Sequence, residues 1–149
     1  MQVHLEGSTI INAPRASVFG LLTDTKFLAE TLPDAEDVRV LDDRNLEAKL
    51  KVRVALVSSS LRAKMTLAEV EPPAKARLAA VAAGSGSNIS IESAFELTGD
   101  SPTTMKWSAD ADITGVMAGL GSTLLKGFAT KKVAEIFSGI TRAIEARAH

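Results

Sequence analysis

The last third of the chain constrains the fold most, because a strand there leads directly into a long stretch with helical periodicity. Residues 107–113 alternate apolar and polar side chains, Gly115 follows, and about thirty residues then repeat apolar positions every three or four. The predicted apolar face consists of Met117, Leu120, Leu124, Phe128, Val133, Ile136, Ile140 and Ile144. A helix of this length behind a run of strands has to pack across their sheet.

Glycines interrupt the first half of this predicted helix, at Gly115, Gly119, Gly121 and Gly127. A glycine inside a helix costs about 1 kcal/mol relative to alanine, so the start of the helix is poorly supported. Two interpretations stay open at this point. The glycines allow close packing of the helix backbone on the sheet, or they form a mobile lid over a cavity.

Alternating patterns upstream predict an antiparallel sheet. Residues 46–57 are the clearest strand, with one apolar and one charged face. Its apolar positions are Leu46, Ala48, Leu50, Val52, Val54 and Leu56, and a hairpin turn is expected at residues 58–60. Other strands are predicted at residues 3–11, 38–41, 61–67, 75–83, 89–97 and 105–113. Two short helices are expected after the first strand, one from Pro14 and one over residues 25–32. The expected class is α+β: a curved antiparallel sheet of about six to seven strands wrapped around a long C-terminal helix.

Composition excludes several classes of protein. The 149 residues predict a single domain over residues 1–149, and a net charge of -1 gives no basic excess for nucleic acid. The absence of cysteine excludes disulfides, thiolate metal sites and a cysteine nucleophile. No secretory signal pattern and no membrane-spanning apolar run is visible, so we expect a cytoplasmic protein.

Catalytic and metal-binding patterns are weak. The inward positions assigned to the strands hold no histidine, acid or lysine. The two histidines are His4, on the outward side of the first strand, and His149, the last residue. Asp110 and Asp112 share a strand face and could chelate a cation, but a solvated face is the favoured interpretation. We therefore predict no catalytic residues and no metal site.

The predicted interior mixes large apolar side chains with alanines at positions 48, 63, 109 and 111. Since close-packed interiors do not leave space unfilled without cost, a curved sheet lined with alanines under a glycine-rich helix predicts an apolar, ligand-sized cavity. The alternative is a fully packed core of small residues. On the outward side, Lys49, Lys51, Arg53, Arg62 and Lys64 form a basic stripe that could meet an acidic protein or anionic lipid, or could simply be solvated.

Several segments carry a resemblance to a known family. They are Gly7 with residues 11–14, Val18 with residues 21–24, residues 32–36, residues 69–73, and residues 107–121 followed by Lys131 and Lys132. Together they resemble the CoxG-like proteins, a family named after a component of carbon monoxide dehydrogenase, within the START and polyketide-cyclase-like helix-grip (SRPBCC) superfamily. The resemblance covers essentially the whole chain. The chain departs from the family pattern at Asp34, where glycine is expected after Leu-Pro.

The resemblance implies a helix-grip fold and a role as accessory to an aerobic, molybdenum-containing carbon monoxide dehydrogenase, peripheral to the inner face of the cell membrane. Such an enzyme delivers electrons to a lipid-soluble acceptor. We therefore expect a non-catalytic protein, without a covalent cofactor, that carries a quinone such as menaquinone or ubiquinone between membrane and enzyme.

The expected site has three parts. The predicted ligand-binding residues are Leu50, Val52, Met65, Ile91, Phe95, Trp107, Ala109, Met117, Leu120, Leu124 and Phe128. The predicted cavity mouth is Phe27, Leu28 and Leu32, and the predicted lid glycines are Gly115, Gly119 and Gly121. Two alternatives remain: a membrane-docking protein without a ligand, and a small hydrolase or cyclase of hydrophobic aromatic substrates. The enzyme would need a polar group inside the cavity, and the assigned inward positions contain none.

Overall fold

The computed structural model describes residues 1–32 and 34–148, and its architecture is one curved sheet covered by helices. The strands are β1 (Gln2–Ile11), β2 (Ala35–Val40), β3 (Asn45–Val54), β4 (Val57–Glu71), β5 (Lys75–Gly84), β6 (Ser87–Gly99) and β7 (Thr103–Gly115). The helices are α1 (Arg15–Leu22), α2 (Thr25–Thr31), a short 3₁₀ helix (Val116–Leu120) and α3 (Ser122–Ala148). All seven strands form one antiparallel sheet in the order β1-β7-β6-β5-β4-β3-β2. The expected α+β architecture is confirmed.

The inward face of the sheet follows the alternation in the sequence. Directly paired residues in antiparallel strands point to the same face. Leu50 pairs with Leu61 on β4, and Phe95 on β6 pairs with Trp107 on β7. Tracing the pairs across β4, β5 and β6 places Leu50 and Trp107 on the same, concave face. This face is the one that α3 covers.

The short helices have local causes. Pro14 precedes α1 with φ -63, a value that suits a helix start. Asp24 caps α2, because its carboxylate accepts a hydrogen bond of 3.0 Å from the backbone N–H of Lys26. After α2, Asp34 adopts φ 59. This left-handed conformation favours glycine, which explains the glycine expected there from the family resemblance.

The first hairpin turn differs from the expectation. The turn predicted at residues 58–60 is wrong: β3 ends at Val54, and Val54 pairs with Val57 across a two-residue turn. Ala55 takes φ 54, and Leu56 is 93% exposed rather than inward. The apolar alternation continues through the turn, so periodicity alone does not mark where the chain reverses.

The long helix begins later than expected. Gly115 ends β7 with φ 86, Gly119 lies in the 3₁₀ helix, and Gly121 takes φ 90 immediately before α3. The expectation of one continuous helix through these glycines is wrong, because the positive φ angles at Gly115 and Gly121 interrupt helical geometry. The break also shifts the phase of the helix. Leu124, predicted on the buried face, is 49% exposed, and Leu125 is buried instead.

The apolar core divides into two clusters. The first cluster joins α1, α2 and the C-terminal half of α3 to the sheet; its largest members include Ile11, Phe19, Phe27, Leu46, Phe95, Leu97, Met105 and Ile144. The second cluster lies at the end of the sheet near the 3₁₀ helix; its members are Val3, Val54, Leu61, Ile113, Met117 and Leu125. The division leaves the middle of the concave face to be accounted for.

Candidate functional site

The middle of the concave face is not packed. Five inward residues of the central strands belong to neither core cluster and stay partly accessible: Ala63, Ala80, Ile91, Ser93 and Ala109. We call them the central concave region. The backbone of α3 approaches β1 and β3 more closely than it approaches the central strands β4, β5 and β6. Since interiors normally reach close packing, the helix bridges unfilled space over this region.

A cleft of about 530 Å³ opens between β1 and α3. Leu5, Gly7 and Thr9 line it on the strand side, and Val133, Phe137 and Thr141 line it on the helix side, with Trp107 between them. Most of this lining is apolar. The volume lies in the range that proteins use for small organic ligands.

Trp107 takes its position from two neighbours. Gly7 pairs directly with it across β1 and β7, and the indole occupies the space where a side chain on residue 7 would lie. Phe137 of α3 contacts it at a centroid distance of 4.8 Å and an interplanar angle of 36°. The indole is therefore held between strand and helix, with one part in the first core cluster and one part on the cleft.

Two hydroxyl groups in this part of the molecule were missed from the sequence. Ser93 lies between Leu78 and Ala109 in the pairing of β5, β6 and β7, so its side chain points inward. The expectation that the inward positions hold no polar group is wrong at Ser93. Its parity with Ile91 and Phe95 was the available signal. The second hydroxyl is that of Thr141, which lies on the cleft, on the helix side.

The predicted ligand-binding residues divide by position. Met65, Phe95 and Trp107 pack in or against the first cluster, while Leu50, Val52, Met117, Leu120 and Phe128 pack in or against the second. Ile91 and Ala109 lie between the clusters, in the central concave region. Leu124 is on the outer side of α3, away from the others. Ligand contact by any of them stays a prediction.

The residues expected at the cavity mouth are packed. Phe27 and Leu28 belong to the first cluster and are almost fully buried, and Leu32 packs against it. The guanidinium carbon of Arg147 lies 5.0 Å from the centre of the Phe27 ring and covers it. These residues do not line the cleft between β1 and α3. That cleft is where the structure places an opening.

Ion pairs hold α3 to the α2 region at two points. Lys132 Nζ lies 2.6 Å from Asp34 Oδ2 and 3.1 Å from Glu135 Oε2, and the hydrogen bond to Asp34 raises the pKa of Lys132 above its usual value. Arg147 pairs with Glu30 of α2. The loop at Asp34 is thus tied to the same helix that covers the concave face.

The outward face carries a second concavity, of about 450 Å³, across β2 to β6. Lys49 and Arg62 lie directly opposite each other in it, and within the described ranges neither forms a salt bridge. Like charges in directly opposed positions repel. Exposed Val81 lies between Lys64 and Ser90 in the strand pairing. We call this feature the basic groove; it combines unpaired positive charge with a small apolar floor.

The titratable groups of the described residues lie at the surface. His4 Nδ1 lies 2.5 Å from Asp110 Oδ1, and Nε2 lies 3.1 Å from Glu6 Oε2. The hydrogen bond to Asp110, and then that to Glu6, raise the pKa of His4 above its usual 6.5. His149 lies outside the described residues. Across the part of the chain that is described, no group of three or more histidine, cysteine or acidic side chains is arranged to hold a metal ion.

The helices give no candidate for a membrane span. Among the described residues, none is both long and apolar enough to cross a bilayer.

Solved structures share this fold. A conserved protein from Geobacillus kaustophilus is 21% identical with a TM-score of 0.88, and the match covers 99% of this chain and 98% of that one. The Zhui aromatase/cyclase from Streptomyces sp. R1128 is 14% identical with a TM-score of 0.71, covering 100% and 97%. A START superfamily protein from Mycobacterium smegmatis is 11% identical with a TM-score of 0.67, covering 97% and 96%. At these identities the likeness establishes the helix-grip fold alone.

Sequence comparison is narrower. No functionally curated protein matches this chain. The model of the CoxG family, whose founding member is a component of carbon monoxide dehydrogenase, matches residues 7–145, nearly the full length. The chain therefore belongs to the carbon monoxide dehydrogenase CoxG family.

Proposed function

We propose that this protein is a non-catalytic carrier that binds a lipophilic quinone, menaquinone or ubiquinone, and links carbon monoxide dehydrogenase to the electron-transport chain of the membrane. The family name supplies the dehydrogenase as partner. The observation that carries the ligand is the central concave region, where inward apolar residues of the central strands belong to neither packed cluster.

The proposed binding follows from the chemistry of the two concavities. An isoprenoid tail over Ala63, Ala80 and Ile91 would fill the space beneath α3, and each buried CH₂ group contributes about 0.8 kcal/mol. A flat ring in the cleft would lie beside Trp107 and Phe137, which offer aromatic surface. The protein then shields an apolar molecule from water during transfer, and its own residues carry out no reaction.

Fluorescence of the single tryptophan tests this proposal, since Trp107 lines the cleft. A short-tailed menaquinone analogue should quench it saturably, and an organic extract of the purified protein should contain a quinone by mass spectrometry. Ala80→Phe should lower affinity by tenfold or more, because its ring fills the central concave region. Ala83→Phe is the matched control, because Ala83 is exposed on the outward face of the same strand.

Two results would contradict the carrier. One is a wild-type protein that neither quenches nor co-purifies with a quinone. The other is Ala80→Phe binding as tightly as wild type while folded.

A second candidate function, an enzyme acting on hydrophobic aromatic molecules, is favoured by Ser93. Its hydroxyl points into the concave face, and the Zhui aromatase/cyclase has the same fold. This candidate predicts turnover of an aromatic polyketide-like substrate that Ser93→Ala abolishes. Binding without any change in the ligand favours the carrier.

The proposed membrane association rests on the basic groove. Unpaired cations near a surface attract anionic headgroups, with about 1 kcal/mol for each lysine or arginine. The association is peripheral, at the inner face of the cell membrane. A docking protein without a ligand would keep this property and lose the quinone.

A further inference from the structure

Thr141 of α3 holds a buried hydroxyl without a partner. Of the side-chain nitrogen and oxygen atoms in the described residues, its Oγ1 is the one that is both fully buried and free of any hydrogen bond. Burying a hydroxyl without a compensating hydrogen bond costs free energy, so such a group calls for an explanation. Thr141 also lines the cleft between β1 and α3.

Other threonines in helices of this protein solve the same problem locally. Thr130 donates to the carbonyl of Lys126 at 2.8 Å, and Thr23 donates to the carbonyl of Phe19 at 2.8 Å. This bond to the residue four positions earlier is the usual solution for a helical threonine. Thr141 does not make it to Phe137, although the two residues have the same spacing. Its hydroxyl is left available for another acceptor.

The surroundings of Thr141 define that acceptor. The aromatic pair Trp107 and Phe137 forms one part of the cleft, and Gly7 leaves space for the indole to lie close to β1. A cleft of about 530 Å³ accommodates a fused ring system. An aromatic ring that bears a carbonyl oxygen would satisfy both the apolar walls and the hydroxyl.

We propose that Thr141 anchors the oxygen-bearing ring of the ligand in the cleft, by donating its hydroxyl hydrogen to a ring carbonyl. This inference rests on the proposed carrier function and adds which end of the ligand lies where. The tail then runs over the central concave region. The protein selects a quinone over a hydrocarbon of the same shape, because only the quinone gives the hydroxyl an acceptor.

The test compares two ligands and three variants. The ligands are a short-tailed menaquinone analogue and the naphthalene hydrocarbon with the same tail, both followed by Trp107 fluorescence. Thr141→Val keeps the shape and removes the hydroxyl. It should weaken quinone binding about five- to tenfold, leave hydrocarbon binding unchanged, and leave the melting temperature of the free protein equal or higher. The infrared carbonyl band of the bound quinone should shift to higher frequency in the variant.

Two further variants complete the test. Thr130→Val is the matched control, because Thr130 lines the same cleft while its hydroxyl is bonded to Lys126. It should leave the ratio of the two affinities unchanged. Thr141→Ser retains the hydroxyl and should retain the preference for the quinone, which keeps the test decisive if Thr141→Val does not fold.

Three outcomes would overturn the inference. They are wild-type quinone affinity in Thr141→Val, equal loss of both ligands in that variant, and loss of selectivity in Thr141→Ser. If wild type binds neither ligand, the carrier function itself fails, which is a distinct result.

Discussion

The indole of Trp107 lies against Gly7, its direct partner across β1 and β7. A Cβ atom built on Gly7 would lie 2.8 Å from Cζ2 of the indole, well inside van der Waals contact. The glycine of the first strand and the tryptophan of the last strand therefore specify each other. Both residues belong to the segments that carry the family resemblance. The pair sets the depth of the cleft beneath α3.

Replacing Gly7 with alanine should displace the indole and destabilise the protein by about 1–3 kcal/mol, as overpacking does. Urea unfolding measures the loss, and the emission maximum of Trp107 reports the displacement. Gly20→Ala in α1 is the control, because a Cβ there meets nothing within 4 Å. It should stabilise the helix by up to about 1 kcal/mol. Equal stability in Gly7→Ala and wild type, with unchanged emission, would refute the packing relationship.

The glycines before α3 should respond differently to alanine. Gly121 has φ 90, so Gly121→Ala should cost about 1–3 kcal/mol in backbone strain although the space around it is open. Gly119 has no positive φ and no neighbour within 4 Å of a built Cβ, so Gly119→Ala should be neutral or stabilising. Thermal unfolding of the two variants measures the difference.

The same pair of variants tests the proposed lid. If mobility at Gly119 admits the ligand, Gly119→Ala should slow the exchange of bound quinone with vesicles while the melting temperature is maintained. An unchanged exchange rate in that stable variant would remove the lid from the mechanism.

The pH dependence of His4 has a definite sign. Hydrogen bonds to Asp110 and Glu6 raise its pKa above 6.5, because the protonated ring is paired in the folded state. The stabilisation from this pairing is therefore fully present below about pH 6.5, the unfolded value, and is lost as the pH rises through the higher folded value. NMR titration of the ring should give a pKa above 6.5 that falls in Asp110→Asn. A wild-type pKa at or below the ordinary histidine value would contradict the arrangement.

Charge reversal in the basic groove should weaken membrane association. Lys49→Glu with Arg62→Glu removes two unpaired cations, so binding to vesicles that contain anionic lipid should fall at least about thirtyfold at low salt. Cosedimentation measures this binding, and neutral phosphatidylcholine vesicles should show no difference.

Lys106→Glu with Lys126→Glu is the control for this prediction, since it changes the net charge equally at exposed positions outside the groove. Equal losses in the two double variants would mean that net charge alone governs the association, and the basic groove would have no specific role.

The alternation of apolar residues was sufficient to predict most of the sheet. Inward positions such as Leu46, Met105 and Ile113 follow from period-two geometry, which is a local property of an extended backbone. The order of elements, with strands before one long helix, then leaves few ways to bury the apolar faces. The α+β class was therefore predictable from the amino-acid sequence.

Tertiary structure decided what lies between the sheet and α3. The phase of the helix depends on the positive φ at Gly121, so Leu125 rather than Leu124 is buried. Phe95 is packed while Ile91, on the same face of the same strand, is not, because the distance from sheet to helix varies along the strand. The unpartnered hydroxyl of Thr141 arises in the same way. Periodicity determines which face a residue occupies, whereas packing and hydrogen bonding depend on distances to residues far away in the chain.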